Sequence, residues 1–272
     1  MQQAPVNRVK MEKIMAQKKK TKAMVVSQEK LADGIYDLRL ETELAQDAAC
    51  GQFVGVYPKD KSTLLPRPIS ICEIDKEKNQ LRLVYRVAGK GTAEFSNLKT
   101  GDSVYLLGVL GNGFPDKAKP GTKAMLFGGG IGVPPILQLS KELSCEKQIV
   151  VGYRNAQCFL KEDFEQNGAV YVATEDGSVG TKGNVMDAVA ANGLEADIIY
   201  ACGPMPMLRA IRQYAIEHDI PAYISLEERM ACGVGACLGC VCKTTHKDAH
   251  SHVNNARICT DGPVFEAREV EI

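Results

Sequence analysis

The sequence predicts three consecutive parts: a small antiparallel β-barrel, a doubly wound α/β domain built on a mainly parallel sheet, and a short cysteine-rich C-terminal segment. Three observations carry this reading. Short runs of alternating apolar and polar residues follow one another from about Met24 to Leu110. From Thr122 the rhythm changes to apolar runs alternating with helical patterns, and beyond Ser225 the chain turns rich in Gly and Cys with little apolar periodicity.

Barrel strands are expected at Ala23–Ser27, Ile35–Thr42, Gln52–Tyr57, Pro68–Ile74, Gln80–Val87 and Ser103–Val109, with one helical piece at Thr92–Leu98. Tyr36, Leu38 and Leu40 alternate with charged residues, and Leu81, Leu83 and Tyr85 repeat the same period of two, the mark of half-buried strands. Six such strands at short spacing suit a small closed barrel. Gly111–Pro115 breaks the pattern and Pro120-Gly121 marks a linker. The second domain then opens with a strand at Lys123–Phe127, a glycine turn and a helix at Pro134–Leu143. Further strands are expected at Gln148–Tyr153, Val170–Thr174 and Ile198–Ala201, with helices at Asn184–Ala191 and Met205–Glu217. Such alternation implies parallel strands joined by helical crossovers. The expected boundaries are a basic flexible tail at 1–22, the barrel at 23–117, the α/β domain at 121–224 and the cysteine-rich domain at 225–272.

Composition narrows the function. With 45% hydrophobic and 24% charged residues in 272, the chain buries a proper core. A formal net charge of zero argues against a protein built to hold nucleic acid. The first 22 residues carry seven Lys and Arg against the single acid Glu12, a solvated tail in the simplest reading. No signal peptide or membrane span is apparent, so a cytoplasmic location is expected. Ten cysteines in such a chain read as metal ligands and buried thiols rather than disulfides.

The strongest single signal is Cys232-Gly-Val-Gly-Ala-Cys237-Leu-Gly-Cys240, with Cys259 following. This C-x4-C-x2-C…C spacing is that of plant-type 2Fe–2S centres. Two irons need four thiolates, and Gly233, Gly235 and Gly239 let the backbone wrap closely and turn N–H groups toward sulfur. A structural zinc site is the competing reading, although zinc ligands usually come as two short-spaced pairs. Cys242 is nearer than Cys259 as a fourth ligand. However, Cys240 and Cys242 sit on one extended segment, roughly 6.6 Å apart along it, a strained reach around a compact cluster. The loop Thr245–Ile258 leaves Cys259 free to fold back. Cys50, Cys72, Cys145 and Cys158 read as small buried hydrophobes.

Two further constellations suit phosphate-bearing cofactors. Arg67-Pro68-Ile69-Ser70 lies on one predicted barrel strand, Val84-Tyr85-Arg86 on the next, and Gly91-Thr92 opens a helix. A helix N-terminus beside arginines is a ready diphosphate site. Gly128-Gly129-Gly130-Ile131-Gly132 joins a strand to a helix without matching the G-x-G-x-x-G fingerprint, because Val133 stands at its third glycine. Cys202-Gly203-Pro204 ends another strand, and ligands of open α/β sheets bind at such carboxyl ends. His218, His246, His250 and His252 lack convincing metal spacing.

In this order, Arg-x-x-Ser, Gly-Gly-Gly-Ile-Gly and Cys-Gly-Pro resemble the ferredoxin reductase superfamily. That resemblance implies FAD on the barrel and NAD on the α/β domain, with Arg67 at the FAD diphosphate and Ser70 near flavin N5. Gly130 and Gly132 would line the nucleotide diphosphate, and Cys202 would sit by the nicotinamide. Ile69 stands where many members carry a Tyr that stacks on the flavin. Leu226-Glu-Glu-Arg-Met-Ala-Cys232 and Cys259-Thr-Asp-Gly-Pro-Val-Phe265 extend the match to the electron-transfer subunits of class 1B dihydroorotate dehydrogenases. That resemblance implies Cys259 as the fourth ligand. It also implies a partner, an FMN-containing catalytic subunit that oxidises dihydroorotate, in a heterotetramer with two copies of each, serving pyrimidine biosynthesis. A subunit of NAD(H)-dependent ferredoxin:NADP⁺ oxidoreductase is the alternative with the same cofactors. A zinc-stabilised docking protein on a silent reductase scaffold is the alternative of another class. The acidic turn Thr174-Glu175-Asp176-Gly177 predicts preference for NAD over NADP, with Arg154 as the nearby cation.

Overall fold

The computed structural model describes residues 18–247 and 252–272. The first part contains β1 (Lys19–Ala32), β2 (Ile35–Glu41), the short α1 (Leu44–Asp47), β3 (Phe53–Tyr57), β4 (Arg67–Asp75), β5 (Gln80–Arg86), α2 (Lys90–Phe95) and β6 (Ser103–Leu110). Its strands close into a barrel in the order β1-β2-β5-β4-β3-β6, every pair antiparallel. A two-residue Asp33-Gly34 turn, with Gly34 at φ +71°, joins β1 to β2, as expected where the turn must match strand twist. Leu38, Leu40, Leu81, Leu83 and Tyr85 point inward and are buried, as their period predicts.

Strand β1 corrects the expected tail. Lys19–Met24 pair with Ser103–Gly108, so the barrel begins four residues before residue 23. The lysines hid this strand because they face outward. The Nζ of Lys20 lies 4.2 Å from the Tyr57 ring centroid, keeping its charge wet and its stem on an aromatic. Residues 1–17 of the expected tail, and His250 of the histidine tract, lie outside the described residues. Helix α2 also starts two residues earlier than expected, with Gly89 as its cap, so Thr92 stands in its first turn rather than opening it.

The second part runs β7 (Lys123–Gly129), α3 (Pro134–Glu142), β8 (Glu146–Tyr153), α4 (Lys161–Glu165), β9 (Ala169–Thr174), β10 (Thr181–Lys182), α5 (Val185–Asn192), β11 (Ile198–Cys202), α6 (Met205–Glu217) and β12 (Ala222–Ser225). The C-terminal part adds β13 (Val241–Thr244), β14 (Asn255–Arg257), β15 (Val264–Glu266) and β16 (Val270–Glu271). The large sheet has the order β10-β9-β8-β7-β11-β12-β15, with β10 to β12 parallel and β15 antiparallel at the edge. The C-terminal part therefore does not separate cleanly at residue 225, because β15 extends the sheet of the preceding domain. A small sheet, β14-β13-β16, carries the cysteine loop.

The linker is the joint of all three parts. The Asn112 amide N–H donates to the Gly262 carbonyl at 2.6 Å, and its Nδ2 donates to the carbonyls of Thr260 and Asp261. Phe114 meets Tyr200 of β11 edge to face, with ring centroids 5.9 Å apart.

Candidate functional site

A cleft of about 1020 Å³ opens where the barrel, the carboxyl ends of the parallel strands and the C-terminal part meet. Strands β7 and β11 are neighbours in register, Gly128 opposite Cys202, so their terminal turns meet side by side. A Cβ on Gly132 would strike the Cys202 carbonyl and come within 2.6 Å of the Gly203 Cα. A Cβ on Gly129 would stand 3.0 Å from Pro204. These two glycines thus let the two turns touch. Gly130, at φ +52°, has open space before it and faces the cleft. Helix α3 follows with Pro134 and Pro135 in its first turn, where a missing N–H costs nothing.

The expected site residues divide into two groups. Pro68, Ser70 and Arg86 from the barrel line the cleft together with Gly129, Gly130, Gly132, Cys202, Gly203 and Pro204. Arg67 lies apart from them against Gly91, where an added Cβ would come within 2.7 Å of its Nε, and its Nη1 donates to the Leu65 carbonyl at 2.7 Å. This close seat explains the glycine and leaves a cradle of guanidinium and bare backbone. Four other expected residues do structural duty with their side chains. Tyr85 turns into the barrel core and donates its hydroxyl to Gln28, and Val84 is buried where the barrel meets α3. The Thr92 hydroxyl accepts from the Ala88 and Gly89 amides and caps its own helix. Ile69 packs against the barrel core.

Sequence reading missed Phe53, Ser225, Glu227 and Met230, all of which line the cleft. Ser225 ends β12, opposite Cys202, on a strand too short to show a period. Burial pushes the Cys202 thiol up to about 12; a hydrogen bond with Ser225 opposes this and the charge of Glu227 adds to it. Cys202 therefore presents a neutral thiol. At the other end of the cleft Arg154 and Glu175 are both exposed. The Asp176 carboxylate is already engaged by the Ser178 amide at 2.9 Å and hydroxyl at 2.6 Å.

The segment Glu227–Met230 leads from the cleft directly into the cysteine loop. Gly233 (φ +67°) and Gly235 (φ +81°) take left-handed turns that wrap this loop, and a Cβ on Gly235 would come within 2.8 Å of Thr260. The amides of Val234 and Ala236 donate to the Cys232 sulfur at 3.4 and 3.3 Å, and that of Gly239 to Cys237 at 3.4 Å. Burial opposes ionisation of Cys232, but backbone donors outweigh it and hold the thiol down at about 6. Cys259 is 1% exposed, and burial together with its contact to Cys240 pushes it up to about 11. The charge of Cys232 also reaches Cys259, and Cys232 is itself hydrogen-bonded with Cys237. Cys242 sits on β13 paired with Ala256, half-buried against the core. Among the described residues, no three His, Cys, Asp or Glu side chains already meet around one ion position. Four thiolates with N–H···S donors fit a 2Fe–2S cluster. No helix of the described residues is long and apolar enough to cross a membrane.

Comparison with known proteins agrees with this geometry. A family model described as the iron-sulfur cluster binding domain of dihydroorotate dehydrogenase B matches residues 227–271, and an oxidoreductase NAD-binding domain matches residues 126–213. The dihydroorotate dehydrogenase B (NAD(+)), electron transfer subunit, of Lysinibacillus sphaericus (strain C3-41) is 46% identical over 250 residues, covering 90% of this chain and 95% of the relative. The protein of the same name from Bacillus caldolyticus is 46% identical over 253 residues, covering 90% and 96%. Among solved structures, an NADH-dependent reduced ferredoxin-NADP oxidoreductase superposes with a TM-score of 0.80 at 28% identity, over 92% of this chain and 89% of that one. A ferredoxin NADP+ reductase from Neisseria gonorrhoeae shares the fold, with a TM-score of 0.62 at 14% identity over 73% and 91%. Identity is thus higher to the first two proteins than to the ferredoxin-NADP oxidoreductase, and it runs almost the full length of both chains. The chain belongs to the family of dihydroorotate dehydrogenase B (NAD(+)) electron transfer subunits.

Proposed function

We propose that this chain is the NAD-linked half of a two-protein dihydroorotate dehydrogenase. Its partner is a catalytic subunit that carries FMN and oxidises dihydroorotate, in a cytoplasmic assembly of two copies of each. One observation carries the reading: the barrel wall, the nucleotide turns and the segment entering the cysteine loop line a single cleft. When bound, FAD exchanges a hydride with the nicotinamide and single electrons with the 2Fe–2S cluster, which joins a one-electron carrier to a two-electron acceptor.

The chain's own residues hold and orient these groups. Arg67 and the bare backbone of Gly91 would hold the FAD diphosphate, and Ser70, opposite Phe53 on the barrel ladder, would offer its hydroxyl as a hydrogen-bond partner to the flavin. Gly130 and Gly132 bring backbone close to the nucleotide diphosphate. The protonated thiol of Cys202 keeps negative charge away from the nicotinamide, and hydride transfer needs no general base here. Cys232, Cys237, Cys240 and Cys259 ligate the cluster.

The test is anaerobic purification followed by iron, sulfide and flavin analysis. About two irons, about two sulfides and about one FAD per chain are expected, and stoichiometric zinc without labile sulfide would refute the reading. The isolated chain should reduce artificial acceptors with NADH and leave dihydroorotate untouched until the FMN protein is added. Dihydroorotate oxidation by the chain alone would overturn the division of labour.

A further inference from the structure

Barrel and nucleotide domain both line the cleft, so the angle between them sets how a nucleotide on one approaches a flavin on the other. One ionic network, centred on a buried arginine, crosses that boundary. Arg82 of β5 is only 7% exposed, rare for an arginine. Its guanidinium meets Asp37 of β2 at 2.8 Å, Glu73 of β4 at 3.2 Å and Asp163 of α4 at 3.0 Å. Glu73 in turn meets Lys141 of α3 at 2.8 Å. Asp37, Glu73 and Arg82 stand on the barrel, Asp163 and Lys141 on the nucleotide domain, so two ion pairs tie the bodies together. Beside them the Ile74 amide of β4 donates to the Gln138 side chain of α3 at 2.9 Å.

The network is laid over an apolar contact in which Ile35, Cys72 and Val84 share one core with Val133, Ile136 and Leu137. Apolar burial is non-directional and leaves two surfaces free to slide. A guanidinium forked among carboxylates is directional, and moving either body breaks it. Net stability is a poor reason for such a network, since buried ion pairs roughly break even with apolar packing. Asp37 Oδ1 is buried and finds no partner among the described residues, which adds a cost. What the arrangement supplies is a single orientation.

We propose that Arg82, Glu73, Asp163 and Lys141 are positioning residues that lock the barrel to the nucleotide domain at one angle and so set the approach of nicotinamide to flavin. The inference rests on the reading of the cleft as the hydride-transfer site. None of the four residues lines that cleft, and they act through the domains that carry it.

The test uses the full chain loaded with FAD and cluster, with Asp163→Asn, Lys141→Met and the double variant. Both side chains are 36% exposed, so their replacement leaves the fold standing. The double variant should keep its cofactor content and its Kd for NAD, with only a small drop in melting temperature from the lost Lys141–Glu73 pair. Its single-turnover flavin reduction by NADH should fall about tenfold, since small displacements of reacting groups are costly. The Ile74 amide, followed by hydrogen exchange, should exchange faster, and Asp163→Glu should keep most of the wild-type rate. An unchanged rate in the double variant overturns the proposal. A rate that falls only in step with cofactor loss or nucleotide affinity does the same, because a merely structural network would behave so. If NADH fails to reduce the flavin of the unaltered chain, the reading of the cleft falls, and the positioning role with it.

Discussion

Gly132 stands where a single methyl group has no room, pressed on the carbonyl of Cys202. Gly132→Ala should push the first nucleotide turn off the second and weaken NADH binding roughly tenfold (~1.4 kcal/mol) while FAD is retained, as a fluorescence titration would show. Cys259 and Cys242 offer a sharper contrast. Cys259 is buried against Cys240, whereas Cys242 is held in a strand ladder opposite Ala256. Cys259→Ala should abolish iron, sulfide and the reduced-state EPR signal, and Cys242→Ala should leave them near normal; the reverse pattern would reassign the fourth ligand. Glu175 is the acid of its turn with a carboxylate not engaged by Ser178, and it lines the cleft. The chain should therefore favour NADH over NADPH in kcat/KM, and Glu175→Gln should narrow that ratio. A ratio already at or below one in the unaltered chain would refute the assignment.

At the scale of elements, helix α5 is fixed at both ends. Asn184 accepts from the Met186 amide at 2.8 Å, Asp187 completes the reciprocal box, and Gly193 ends the helix in the left-handed region. Asn184→Ala should cost about 1 kcal/mol and lower Tm by about 2–4 °C, measured by calorimetry. The junction of α3 with β4 carries a pH dependence. Burial works against ionisation of Glu73, but hydrogen bonds and charges of Lys141 and Arg82 prevail and hold its carboxyl below the ordinary 4.5. A lowered folded pKa means stability that is present above 4.5 and lost as pH falls through the folded value. Glu73→Gln should therefore flatten the acid limb of a Tm-against-pH curve; an unaltered limb would remove Glu73 from that role. Strong periodicity made β2, β5, β7 and α6 legible in advance. Strand β1 escaped in part because lysines facing water look like a tail. Strands β12 and β15, of four and three residues, are held by their neighbours rather than by a pattern of their own.

For the whole molecule, the surface around the cysteine loop bears on assembly. Val234 and Leu238 are 41% and 65% exposed on either side of Cys237, an apolar rim around the most open ligand. In complex with the FMN protein, amides 233–239 should gain protection from hydrogen exchange, and an unprotected loop would place the contact elsewhere. The amino-acid sequence by itself determined the barrel, the doubly wound sheet, the C-x4-C-x2-C…C ligand spacing and the two glycine turns. Each is written in local periodicity or in side-chain chemistry that a short segment carries alone. Only the tertiary structure decided that Tyr85 and Thr92 serve the scaffold, that Ser225 and Glu227 reach Cys202, and that β15 joins the nucleotide sheet. It also decided that Arg82 binds carboxylates from two domains. The physical reason is range: these outcomes depend on burial and on pairing between residues far apart in the chain, whose partners no local pattern names.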